Sequence, residues 1–307
     1  MCLHQYYGAE MEDLRRKCFF CTEHIDGRKT LEHIVPNSLL GKLGIKEETI
    51  TGQFNATQYS RVKVPAHEIC NNQFGSDYEN RVLNLLEEPE LLYTQLCEEE
   101  AGIHMMYSPA DSVSALVTTW LSKIYYGLFY YDLISTRDTE WKGVCSSIVQ
   151  SENFKFVQSS YKQGFGFQLP SSLYVFKTKN ENTDLVTMVD PSTMLLKIGS
   201  LTFILCICDG FLTKNYLNGS SLHKLRSRME EQENLDPNFP VHKLALAEVI
   251  ALRNCIPKNP RFVFSEHQII NLSLSTMAED PDLVYQINEE LLSFVRREVL
   301  LEMGIKL

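Results

Sequence analysis

"CFFCTEHIDGRKTLEHIVPNSLLG" occupies residues 18–41, and "KVPAHEICNNQFG" follows at 63–75. Cys18 and Cys21 form a C-x-x-C knuckle, and His67 with Cys70 repeats that spacing. Structural zinc takes four nitrogen or sulfur ligands in a tetrahedron, commonly as two such pairs from separate turns. Cys18, Cys21, His67 and Cys70 therefore read as one three-cysteine, one-histidine Zn2+ site. His24 is the alternative fourth ligand; His67 is preferred because it completes the pairing. A thioredoxin-type redox motif is the competing reading of C-x-x-C. It belongs between a strand and a helix of a βαβ unit, and neither flank reads so.

Zinc alone staples a fold, whereas the residues around the knuckles bring chemistry. Glu32 directly precedes His33 in "EHIVP", and Asn71 directly follows the second pair in "CNNQFG". In this order and spacing, residues 15–82 resemble the HNH nuclease family, in its zinc-bound subgroup with CxxC, EHIxPxSLxG and CxxCNxxxG. The resemblance implies a ββα-metal fold, a β-hairpin and a helix crossed over one ion. It also implies metal-dependent hydrolysis of phosphodiester bonds in nucleic acid, with DNA the expected substrate and bacterial or phage-related defence the setting. His33 would be the general base. Glu32 and Asn71 would hold Mg2+ or another divalent metal, and zinc would take no part in the reaction. The residue types suit that work: a neutral histidine accepts a proton from water near pH 7, and a divalent cation relieves charge on the departing oxygen.

The chain departs from the pattern in two places. His67 stands where the family usually has cysteine. The middle asparagine that orients the catalytic histidine is missing from "YSRVKVPAHEIC", leaving Asn37 and Asn55 as substitutes. Asp77 and Glu79 read either as further metal carboxylates or as ordinary first-turn helix acids.

A 44% hydrophobic, 22% charged chain of 307 residues is expected to be globular, with one large or two ordinary domains. "LLKIGSLTFILCICDG" is too short and interrupted for a membrane span of about 20 residues. "MCLHQYYGAE" lacks the basic start and apolar core of a signal peptide, so a cytoplasmic location and no membrane contact are expected. Nine cysteines in such a chain read as reduced thiols. Cys206 and Cys208, two apart in a strand-like run, read as buried hydrophobes. A net charge of −10 excludes a broad basic surface that coats nucleic acid. Residues 1–85 carry 10 basic and 11 acidic side chains, so the excess negative charge lies beyond them.

The expected fold class is α+β. A zinc-stabilised finger spans 1–85, and a mixed helical domain with a small, mostly antiparallel sheet spans 86–307. The second domain carries no recognisable motif and is expected to act through a regulatory protein partner, a homo-oligomer contact or a small ligand. Helical periodicity begins at Asp77 and breaks at Pro89. Ser108, Pro109 and Asp111 announce a long apolar helix, on which Trp120 and the tyrosines at 125, 126, 130 and 131 read as core rather than a base-stacking platform. "GFGFQL", "SLYVFKTK", "LVTMVD", "TMLLKIG" and "LTFILCICD" read as strands. The polar stretch 213–240 reads as surface loop with some helix. Within it Lys224, Arg226 and Arg228 are phosphate contacts or a solvated face. Two amphipathic helices close the chain. The rival function is a catalytically inactive zinc module that binds protein or nucleic acid; a thiol redox protein is a third.

Overall fold

The computed structural model describes residues 14–51, 56–100, 112–163, 168–256, 261–264, 270–273 and 289–305. Asn55, the start signals at 108–111 and the "GFGF" of the first expected strand lie outside them. The chain divides into two compact units: 1–87 with 119–167, and 88–118 with 168–307. This differs from a division at 85/86, because residues 119–167 pack with the N-terminal segment.

The first unit opens on the Cys18–Cys21 knuckle. Strand β1 (Thr30–His33) leads into helix α1 (Asn37–Leu43), and a short hairpin of β2 (Thr49–Thr51) and β3 (Ala56–Gln58) follows. Strand β4 (Lys63–Ala66) then returns antiparallel to β1, with Glu32 opposite Val64 and His33 opposite Lys63. Directly after it comes a continuous helical stretch: α2 (Glu68–Phe74), a wide π-turn (Gly75–Glu79) and α3 (Asn80–Leu85). The expected break falls where the next helix begins, with α4 (Pro89–Glu100) starting on its proline.

Helix α5 (Val113–Ser135) contributes its residues from Thr119 onward to this unit, along with α6 (Thr139–Val149) and α7 (Glu152–Gln163). The two phenylalanines between Cys18 and Cys21 explain why. Phe19 is fully buried, edge-on to Tyr130 and tilted against Phe154, at centroid distances of 5.6 and 5.5 Å. Phe20 stacks on Phe74 at 5.0 Å, and Phe74 meets Tyr161 edge-on. Gln158 donates to the Phe19 carbonyl at 2.8 Å. The knuckle thus turns its sulfurs one way and two aromatic rings into a core built by helices more than 100 residues away. Trp120, Tyr125, Tyr126 and Tyr130 are buried as core.

In the second unit Glu99 on α4 caps the start of α5, accepting from the Val113 and Ser114 amides at 2.8 and 2.7 Å. Four of the five expected runs become strands β5 (Ser172–Lys177), β6 (Asp184–Met188), β7 (Thr193–Ile198) and β8 (Leu201–Cys206). They form an antiparallel sheet of order β5-β8-β7-β6. Cys206 ends β8 and Cys208 lies in the turn beyond it, both buried.

A short helix α8 (Leu212–Tyr216) precedes α9 (Gly219–Leu235). The expected loop at 213–240 is therefore mostly helix. Its sparse apolar residues Leu222, Leu225 and Met229 fall at helical spacing and are buried with Tyr174 and Ile204 of the sheet. Helix α10 (Val241–Cys255) is expected to be amphipathic but is buried on nearly every face. A hairpin of β9 (Arg261–Phe264) and β10 (Ile270–Ser273) and a closing helix α11 (Glu289–Glu302) complete the described chain. No described helix is long and apolar enough to cross a membrane. Mixed helices with small antiparallel sheets make the chain α+β.

Candidate functional site

The four expected zinc ligands converge. Ligand atoms of Cys18, Cys21, His67 and Cys70 all lie within 4.8 Å of one another, and no other described His, Cys, Asp or Glu residues group in this way. A tetrahedron with Zn–S bonds of about 2.3 Å has edges of about 3.8 Å, so the cluster needs little contraction to close on an ion. The tautomer of His67 fits as well. Its Nε2 faces the His24 carbonyl at 3.2 Å and must donate there, which leaves Nδ1 bare. That Nδ1 is turned to the sulfurs, 3.3 Å from Cys21 Sγ and 4.0 Å from Cys70 Sγ. His24 spends its own Nδ1 on Asp26 at 2.9 Å. His67 is therefore the fourth member of the cluster.

Without a cation among them the thiols stay protonated. Burial, then the neighbouring Cys18 and Cys21 sulfurs, push the Cys70 thiol up to about 12. Burial also raises Cys21. Three crowded sulfurs resist ionising together unless a positive ion sits among them. The knuckle turn itself is tight: Thr22 takes φ 67°, and its amide donates to the Cys18 carbonyl at 2.9 Å. A β-branched residue is unusual in that region.

On β1 the alternation of faces is inverted with respect to polarity. Leu31 is 52% exposed while Glu32 is 8% exposed. The buried carboxylate has a partner that the sequence did not announce, Lys123 of α5, whose side chain is fully buried. The Lys123 ammonium donates to Glu32 Oε1, to Glu79 Oε2 at 2.8 Å and to the His33 carbonyl at 2.8 Å. All three of its protons are thereby used. The Asn71 side chain lies close enough to draw the Glu32 pKa down as well. Two carboxylates against one ammonium leave the cluster one negative charge in excess. Burial raises the Glu32 pKa, and the adjacent Glu79 adds to this against the opposing pull of Lys123.

The π-turn sets the position of Glu79. Eight residues of ideal α-helix would rotate it about 80° from the face of Asn71; a wide turn absorbing one residue reduces that to about 20°. Asn71 and Glu79 thus share the face turned toward Glu32. Glu79 is one of the two carboxylates left open by the sequence. The other, Asp77, bonds the Ser76 hydroxyl at 3.1 Å.

His33, next to Glu32 on β1, is partly buried. Burial lowers its pKa, and Lys63, Lys123 and Lys46 lower it further against an opposing pull from Glu79, so its neutral form is favoured. Lys63 stands opposite it in the strand register.

Lys123 was the residue sequence reasoning missed. One signal existed: within the 23 residues of α5 it and Asp132 are the only formal charges. Arg226 and Arg228, two of the three candidate phosphate contacts, are committed elsewhere. Arg226 pairs with Glu100 at 2.8 Å and Arg228 with Glu248 at 2.9 Å. Compared with known proteins, the chain matches no family model, no curated protein and no solved structure.

Proposed function

We propose that the first unit is a zinc-held ββα-metal finger of the HNH kind that hydrolyses phosphodiester bonds in DNA. The observation that carries this reading is the meeting of Glu32, Asn71 and Glu79 beside His33, on two paired strands and the helix that follows them. In this reading the sulfur cluster holds structural Zn2+ and fixes the register of β1 against α2. His33, kept neutral by burial and nearby lysines, takes the proton of the attacking water. The oxygen-rich set of Glu32, Glu79 and Asn71, with its excess negative charge, suits a hard divalent cation such as Mg2+. Such a cation would supply charge relief at the departing oxygen. Lys123 fixes the two carboxylates, and Lys63 favours approach of a polyanion.

One observation favours the second reading, a catalytically inactive zinc module that binds nucleic acid or protein. The Lys123 ammonium already neutralises Glu32, the position a catalytic cation would need. Plasmid nicking in Mg2+, Mn2+ or Ni2+ separates the two. Cleavage by the wild type, reduced about 10²- to 10⁴-fold in His33→Ala with zinc content and circular dichroism unchanged, is the expected outcome. Cleavage that survives in His33→Ala would remove the histidine from the mechanism. A zinc-loaded wild type inactive with every metal and substrate tried would leave the module.

A further inference from the structure

The second unit contains a cavity of about 190 Å³ lined by residues of α8, the start of α9 and the end of α4. Lys214 lines it. This side chain is only 7% exposed, yet its ammonium makes no hydrogen bond or ion pair among the described residues. Burial lowers the Lys214 pKa, with Glu100, Asp209 and Glu99 opposing that shift through their charge.

The other polar groups of the wall are engaged. Glu100 accepts from Arg226 Nη2 on both oxygens, at 2.8 and 3.0 Å. The Tyr174 hydroxyl donates to the Leu217 carbonyl at 3.2 Å, and Asn218 Nδ2 donates to the carbonyls of Lys214 and Asn215. Two donors are left over: the Lys214 ammonium and Arg226 Nε, which is buried without a partner. Charge follows the same pattern. Among the lining residues, Lys214 and Arg226 outnumber Glu100 by one positive charge, with Asp209 and Glu99 acting on Lys214 from outside the lining, and the first turn of the 17-residue helix α9 lines the cavity as well. Arg226 Nε is a buried donor with no acceptor, which is costly, and an N-terminal helix turn adds to the preference for negative charge.

We propose that this cavity binds a small oxyanion, a phosphate or carboxylate group carried on a compact molecule, with Lys214 as its principal contact. The volume equals that of about six waters, which admits such a group and few further atoms. Nothing in this depends on the nuclease reading of the first unit.

The test uses the full chain in a chloride buffer, titrated calorimetrically with inorganic phosphate and, separately, with acetate. Saturable binding of either anion, weakened about tenfold or more in Lys214→Met and largely retained in Lys214→Arg, is the expected result. Which anion binds more tightly identifies the group. A measurement on the wild type guards against misfolding of the variant: reductive methylation mapped by mass spectrometry should be slowed at Lys214 by the anion and unchanged at Lys224. No saturable binding of either anion, equal affinity in Lys214→Met, or no protection of Lys214 would overturn the proposal.

Discussion

Lys123 shows how much one side chain can decide. A fully buried ammonium with two carboxylates and a backbone carbonyl around it is satisfied, but removal of the lysine leaves Glu32 and Glu79 facing each other in a mostly buried site. Breaking a buried ion pair from one side costs about 3–5 kcal/mol, far more than an exposed pair would. Lys123→Met should therefore lower the unfolding free energy by about that amount in urea melts, and adding Glu32→Gln should recover part of the loss. A Lys123→Met protein within about 0.5 kcal/mol of wild type would show that no such buried pair exists. The four members of the sulfur cluster were legible residue by residue, because each pair lies within a single turn and its spacing is its geometry. Lys123 was not legible, because its main partner is 91 positions away and its neighbours in sequence are uncharged.

At the scale of elements, the contact between α5 and the turn after β1 is set by a glycine. A Cβ built on Gly127 would fall 2.1 Å from Ile34 Cδ1 and 2.7 Å from its Cγ1. Glycine inside a helix normally costs about 1 kcal/mol relative to alanine, so Gly127→Ala would ordinarily stabilise α5. Here overpacking dominates, and the substitution should destabilise by about 1–3 kcal/mol in thermal or urea unfolding. Pairing it with Ile34→Ala should be less than additive, because the shortened side chain vacates the space. A stabilised Gly127→Ala protein would mean that α5 does not approach Ile34 so closely. The sheet strands β5 to β8 were readable from apolar runs between turn residues. Helix α9 was not, since so few of its residues are apolar that the period is faint.

For the whole molecule, the sulfur cluster ties the N-terminal knuckle to α2 across the first unit, so metal and folding should be linked. Native protein purified under reducing conditions is expected to carry one tightly held zinc. Cys70→Ser should lose it together with much of the unit's cooperative unfolding, because structural zinc contributes on the order of 10 kcal/mol in isolated fingers. Metal analysis beside a circular-dichroism melt checks both, and a metal-free wild type with an unchanged melt would remove the ion from the fold. The sequence by itself determined the ligand pairs, the Glu32–His33–Asn71 order and most of the sheet, since these are written in spacings of a few residues. Only the tertiary structure decided that residues 119–167 complete the first unit, that a buried lysine holds Glu32, and that Lys214 faces a cavity unpaired. Such pairings join groups distant in sequence, and it is burial, not local periodicity, that makes each charge find its partner or go without one.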